Sequence, residues 1–200
     1  MLKRTFDVAL SATGLLLSSP LWMLIAAAIK LEDRGPVLFV QERVGKGGVT
    51  FRALKFRSMV VQASTLPPHQ AGEHDPRITG VGRLLRATAL DELPQLYNIF
   101  IGDMSFVGPR PLMPGEIEVR GSGELVRLDS IPGYEARHSV RPGLTGLSQV
   151  YAPRDTPRAR KFRLDAIYVR NATFRLDVFL VAVSFWITFR GRWELRVRKF

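Results

Sequence analysis

The sequence predicts an α+β fold, mostly helical, on three observations. An uncharged apolar stretch over residues 8–29 is broken near its middle by Ser18-Ser19-Pro20. Two short runs of strand-forming residues, 37–40 and 50–56, flank the turn-rich Gly45-Lys46-Gly47-Gly48. Apolar residues then recur at helical spacing, at Leu93, Leu96, Tyr97 and Phe100. The expected architecture is an N-terminal re-entrant membrane segment of helix–break–helix form over residues 1–34. A small β-hairpin and a globular cytosolic part with interfacial amphipathic helices follow over residues 35–200, as one functional unit.

Composition bounds this reading. Two hundred residues suffice for one domain with a sizeable core, and 46% hydrophobic content excludes general disorder. The net charge of +11 fits nucleic acid, an anionic membrane face or anionic substrates, and by itself does not choose among them. With no cysteine, disulfides and thiolate metal sites are excluded.

The first element is the apolar stretch. It is flanked by Lys3, Arg4 and Asp7 on one side and Lys30 on the other, and roughly 20 residues span a bilayer as a helix. A signal peptide is a poor match, because Ala26-Ala27-Ala28 leads into more apolar sequence. Pro20 lacks a backbone donor and kinks a helix, and Ser18 and Ser19 can bond back to upstream carbonyls. Cations at both ends give no preferred crossing direction. A re-entrant hairpin broken at Ser19 and Pro20 satisfies both flanks. A kinked spanning helix and a buried soluble helix are the alternatives.

The hairpin follows. In its second strand Leu54 and Phe56 share one face while Lys55 and Arg57 share the other, a solvated face unless something binds there. Residues 60–78 read as a loop holding His69 and His74, with nothing else to support a metal site. A helical stretch begins over 81–85. The next helix is expected to start at Asp91, with Asp91 as N-cap and Pro94 in the first turn. That places Asp91 and Glu92 at the positive end of a helix dipole, between Arg83 and Arg86 before and Arg110 after. Adjacent carboxylates flanked by guanidinium groups suit a site where metal and phosphate meet, although the pair can also be a simple cap. Pro109 and Pro111 fix the backbone on either side of Arg110, which can bind phosphate bidentately. Arg141-Pro142-Gly143 is a second such turn. Farther on, Asp165 shares an apolar helix face with Phe162, Tyr168 and Val169, so it needs a partner, which one of the arginines can supply. Residues 179–189 are apolar but too short to span; with Trp186, Arg190, Trp193 and a basic tail they suit an interfacial helix, or else a core helix.

These motifs together resemble the bacterial sugar transferases, the small monotopic phosphoglycosyl transferases. The resemblance rests on Lys3-Arg4-x-x-Asp7, Ser19-Pro20 and Gly35-Pro36-Val37-x-Phe39-x-Gln41-x-Arg43-x-Gly45. It extends through Lys55-Phe56-Arg57-Ser58-Met59, Asp75-Pro76-Arg77-Ile78-Thr79 and Leu84-x-Arg86-x-x-x-Leu90-Asp91-Glu92-Leu93-Pro94-Gln95. Gly102-Asp103-Met104-Ser105-x-Val107-Gly108-Pro109-Arg110-Pro111 and Arg141-Pro142-Gly143-x-Thr145-Gly146 complete it. Departures lie after Gly146, near Leu147 and Tyr151, where the family often has a Trp-Ala-Gln-Val-Asn run. Larger relatives carry extra N-terminal membrane helices, so the chain looks like the minimal catalytic form.

The resemblance implies transfer of a sugar phosphate from a UDP-sugar to polyprenyl phosphate, with release of UMP. Asp91 would be the nucleophile, Glu92 the ligand of a Mg2+ cofactor, and Arg86 and Arg110 the phosphate-binding residues. Lys55 and Asp165 are site positions of less defined role. The 60–78 loop would close over the donor. The partners implied are the UDP-sugar, the polyprenyl phosphate and inner-membrane lipid, with the catalytic part on the cytoplasmic face. No nucleic-acid motif is present; the donated sugar, the glycan pathway and the oligomeric state, a homodimer included, are left open. An inactive membrane-bound scaffold is the alternative of another class.

Overall fold

A computed structural model describes residues 1–61, 75–119, 121, 123–153 and 156–190. His69, His74, most of the 60–78 loop, Trp193 and the basic tail lie outside the described residues. The fold is α+β and 55% helical. Helix α1 (Leu2–Asp33) leads into the antiparallel hairpin of β1 (Leu38–Val44) and β2 (Thr50–Phe56). Helices α2 (Gly80–Ala87) and α3 (Gln95–Ile101) follow, separated by a 3-10 turn over Leu90–Glu92. Then come β3 (Ser105–Val107), the small antiparallel pair β4 (Ile117–Val119) and β5 (Leu125–Arg127), and α4 (Tyr134–His138). Strand β6 (Gly143–Thr145) returns parallel to β3, and α5 (Leu147–Tyr151), α6 (Arg158–Asn171) and α7 (Phe174–Phe189) close the chain.

The expected break in α1 is absent. The helix passes through Ser19 and Pro20 without leaving helical conformation. Pro20 cannot donate to the Leu16 carbonyl four residues back, and the Ser19 hydroxyl donates to that carbonyl instead, at 2.8 Å. Trp22 Nε1 donates to Ser18 Oγ at 3.1 Å one turn on. Ser19 therefore repairs the ladder where it was expected to open it, while Ser18 holds the Trp22 ring.

Both ends of α1 are tied to the globular part. Lys3 Nζ donates to Asp177 at 2.7 Å and to the Val107 carbonyl at 3.0 Å. Arg4 donates to the Ile99 and Phe100 carbonyls at the end of α3, and Asp7 accepts from Phe106 N. At the other end Glu32 accepts from Gly80 N and Val81 N at the start of α2, and Asp33 pairs with Arg57. Between Ser11 and Ile25 no residue is buried, and Leu16, Leu17, Met23 and Leu24 are exposed.

Two apolar clusters hold the elements that carry the site. One joins Leu96, Ile99, Met104, Val107, Tyr168 and Leu180, and Phe6, Leu10 and Leu15 of α1 pack on it. The other joins Ile25, Ile29, Phe56 and Leu85, with the Trp22 ring edge-on to Phe56 at 5.2 Å. Burying each such large side chain contributes about 1.5–3 kcal/mol. Leu93 packs on both clusters, so the turn before it is gripped from two sides. Beyond Asp177, helix α7 carries apolar residues on its buried and exposed faces alike: Leu180 and Ile187 face the core while Val178, Phe179, Phe185 and Trp186 are exposed. It is neither a plain core helix nor an ordinary amphipathic one.

Candidate active site

The carboxylate pair is not a helix cap. Ala89 adopts a left-handed conformation, φ 57, which costs an L-residue about 1–2 kcal/mol and ends the preceding stretch. Leu90–Glu92 then make a single 3-10 turn, and α3 begins three residues later with Pro94 as its cap. Asp91 and Glu92 therefore lie ahead of the helix rather than at its first turn, and their environment is set by side chains, not by a helix dipole.

Those side chains arrive from three elements. Lys55 of β2 reaches Glu92 Oε1 at 2.6 Å, and Arg110 Nη2 reaches the same oxygen at 3.2 Å. The face carrying Lys55 is thus not solvated: the lysine and Glu92 side chains are each about one-fifth exposed. Arg57 is likewise buried, in its pair with Asp33. Arg86 donates from Nε to Ser58 Oγ at 2.9 Å and adds its positive field at Asp91. Gly82 lets α2 lie against Ser58, since a Cβ there would meet the Ser58 carbonyl oxygen at 2.0 Å.

The two carboxylates are in different states. Burial pushes Asp91 above the ordinary carboxylate range, against the pull of Lys55, Arg86 and Arg110. Its carboxylate has no hydrogen-bond or ion-pair partner among the described residues, and Asp91 is 9% exposed. Burial would also raise Glu92, but Lys55 and Arg110 outweigh it and hold the group at about 2. Glu92 Oε1 carries both cations while Oε2 has no protein partner among the described residues. Asp91 is available, and Glu92 is anchored.

Two residues the sequence reading missed set this geometry. Asn98, buried within the apolar stripe of α3, donates to the Arg52 carbonyl at 2.8 Å and accepts from Leu54 N at 3.0 Å. It clamps α3 to the strand carrying Lys55. Arg137 pairs with Asp165 at 3.0 Å, both side chains 2% exposed, and donates from Nη2 to the Arg110 carbonyl at 2.5 Å. Ser148 Oγ donates to the other Asp165 oxygen at 2.6 Å. Asp165 is therefore not beside Asp91; it holds the arginine that grips the Arg110 turn. A polar residue inside an apolar stripe is the one signal that marked Asn98 and Asp165 alike.

The two proline turns stack. Gly108 N donates to the Thr145 carbonyl at 2.9 Å, and a Cβ on Gly143 would lie 2.0 Å from Gly108 N. Only glycine allows backbones this close. The result is a recess lined by Arg43, Lys55, Glu92, Gln95, Arg110 and Leu144. Leu147 packs into the core and Tyr151 is half-exposed; neither lines the recess.

A divalent cation fits this donor set in one respect and not in another. Among the described residues there is no cluster of three or more metal-ligating side chains. Magnesium, however, commonly takes one or two carboxylates and draws its remaining ligands from substrate phosphates and water. Asp91 and Glu92 Oε2 are the carboxylate oxygens left without a partner among the described residues that could hold such an ion.

The sequence model of the family described as "Bacterial sugar transferase" matches residues 1–191. The chain is 42% identical over 188 residues to "Undecaprenyl-phosphate glucose phosphotransferase" of Komagataeibacter xylinus, covering 91% of this chain and 35% of that protein. It is 40% identical over 184 residues to "UDP-N-acetylgalactosamine-undecaprenyl-phosphate N-acetylgalactosaminephosphotransferase" of Aeromonas hydrophila, covering 90% of this chain and 42% of that one. It is 40% identical over 187 residues to "Exopolysaccharide production protein PSS" of Rhizobium leguminosarum bv. phaseoli, covering 90% and 92%. The chain thus spans well under half the length of the first two relatives and nearly all of the third.

Proposed function

This chain belongs to the bacterial sugar transferase family, and from that premise we propose that it transfers a sugar phosphate from a UDP-sugar to polyprenyl phosphate at a membrane, releasing UMP. The observation that carries the reading is the buried Asp91, unpartnered among the described residues, beside a Glu92 held by two cations. An Asp91 oxygen attacks the sugar-linked phosphorus. The phosphorus–oxygen bond to the nucleotide breaks, and its electron pair leaves with UMP. A phosphate oxygen of the polyprenyl phosphate then attacks the same phosphorus and frees Asp91. Splitting one displacement into two lowers each barrier, and a carboxylate nucleophile needs no general base. Arg110, half-exposed and aimed by its buried carbonyl contact, and Arg86 neutralise the phosphate oxygens. Lys55 keeps Glu92 ionised and in place. Magnesium bound through Glu92 would supply further charge neutralisation on the phosphates.

The membrane part of the reading is that α1 enters one face of the inner membrane and does not cross it, with the globular part on the cytoplasmic side. Helix α1 is long and apolar enough to cross by length and composition. Its two ends, though, are tied to the same globular part by Lys3–Asp177 and Glu32–Gly80, which favours both ends on one side. An inactive scaffold is the weaker reading, because the reactive groups are assembled and not merely present.

The test is UMP release from a panel of UDP-sugars by detergent-solubilised protein with magnesium, with and without polyprenyl phosphate. Lipid-dependent UMP release with one donor is the expected outcome and names the sugar. UDP as the product would overturn the reaction.

A further inference from the structure

The recess holds a guanidinium that the steps above leave unused. Arg43 of β1 lines it together with Lys55, Glu92 and Arg110. Its Nη1 donates to the Pro111 carbonyl at 3.2 Å and its Nη2 to Gln41 Oε1. Both acceptors are neutral, and no carboxylate lies within ion-pair distance of Arg43 among the described residues. Burial and then the neighbouring Arg110 bring it down to about 10, so it is cationic at neutral pH. Three cations, Arg43, Lys55 and Arg110, line the recess with one carboxylate, Glu92. The excess matches the two negative charges of a nucleoside diphosphate ester.

Position says which phosphate. Arg43 feels Arg110, Glu116, Glu92 and Arg158, whereas Asp91 feels Lys55, Glu92, Arg86 and Arg110. In the hairpin Lys55 pairs with Phe39 and Arg43 with Phe51, so the two cations share one face four residues apart; Lys55 exerts the strongest pull on Asp91, which puts Asp91 at the Lys55 end of the recess and Arg43 at the other. In a phosphoryl displacement the leaving oxygen lies in line with the attacking one, on the far side of phosphorus. A cavity adjoins this end of the hairpin, where Val44 N donates to the Leu112 carbonyl at 2.8 Å. Gln41 Nε2 donates to Met113 Sδ at 3.1 Å, and Met113 lines this cavity of about 170 Å³ with Leu112, Glu116, Leu128 and Tyr134.

We propose that Arg43 is a donor-binding residue that holds the phosphate departing with the nucleotide. As the Asp91–phosphorus bond forms and the bond to the nucleotide breaks, the electron pair settles on an oxygen of UMP, and Arg43 meets that charge. The inference rests on Asp91 as the nucleophile, and it is tested without turnover. Calorimetry on the detergent-solubilised full chain would compare binding of UMP and of uridine, which lacks the phosphate. Wild type is expected to prefer UMP. Arg43→Gln should weaken UMP about tenfold or more while leaving uridine within about twofold, and Arg43→Lys should regain part of the loss. If Arg43→Gln fails to fold, an Arg43→Lys variant that is intermediate for UMP and unchanged for uridine carries the same conclusion. An unchanged preference for UMP over uridine in either variant, or no preference in wild type, overturns the proposal. UMP release by wild type tests the transferase reading separately, so the two can fail independently.

Discussion

Two adjacent carboxylates, Asp91 and Glu92, meet different surroundings, and the difference assigns their work. Glu92 is locked between Lys55 and Arg110, which suits a group that orders charge rather than one that moves. Asp91 has no partner among the described residues, and burial raises it. A raised carboxylate gains its proton at a higher pH than usual, and the protonated form is not a nucleophile. Formation of the phospho-sugar adduct should therefore fall on the acid side at a pH above the ordinary 3.8. A rapid-quench pH profile checks this, and a half-point at or below that value would count against it. Asp91→Asn should abolish the adduct and slow turnover by at least about 10³-fold. An adduct of undiminished yield would move the nucleophile elsewhere.

At the scale of elements, the site depends on joints between short pieces. The Arg110 turn is stacked on the Arg141 turn by glycine contacts and held from behind by Arg137 and Asp165. Removing one partner of a buried ion pair leaves an uncompensated charge and costs about 3–5 kcal/mol. Asp165→Asn should lose stability of that order in urea unfolding. It should also lower turnover, although it lies off the recess. A stability loss below about 1 kcal/mol would show that Arg137 does not depend on Asp165. The joint in α1 makes a sharper test. If Ser19 replaces the bond Pro20 cannot make, Ser19→Ala alone should destabilise by about 0.5–1.5 kcal/mol. In a Pro20→Leu background, the backbone N–H restored by the substitution can reach the Leu16 carbonyl, and the same Ser19→Ala change should cost little. Equal costs in both backgrounds would refute the compensation.

Over the whole molecule, exposed apolar residues gather on helices that adjoin. Leu16, Leu17, Met23 and Leu24 lie on α1, Phe100 and Ile101 on α3, and Phe179, Phe185 and Trp186 on α7. Phe6 meets Phe174 edge-on at 5.5 Å, and Arg4 holds the end of α3, so the three helices meet at the N-terminal end of α1. Large exposed apolar surfaces of this kind mark membrane or partner contact. The chain has no cysteine, so single cysteines are clean topology probes. Thr5→Cys and Leu31→Cys, both exposed, should react with a membrane-impermeant reagent only when the cytoplasmic face is open to it. Labelling of one from each side would establish a spanning helix.

Much of this was legible in order along the chain. The hairpin, the apolar first helix, the Asp91–Glu92 pair and the rigid arginine turns all declare themselves through periodicity, turn residues and charge, which are local properties. The helix start at Asp91 was misread because Pro94 and an Asp look like a cap, while the left-handed Ala89 that shifts the start leaves no mark in residue type. The break at Pro20 was misread because a missing donor is visible in sequence, but its replacement by Ser19 depends on side-chain geometry. The sequence by itself determined which chemical groups the protein owns and which stretches are apolar. Only the tertiary structure decided that Lys55 and Arg110 meet on one oxygen of Glu92, that Asp91 has no partner among the described residues, and that Asp165 serves Arg110 through Arg137. Those are contacts between residues 18 to 37 positions apart, set by how clusters pack and how closely glycine turns approach, and spacing along a chain carries no record of either.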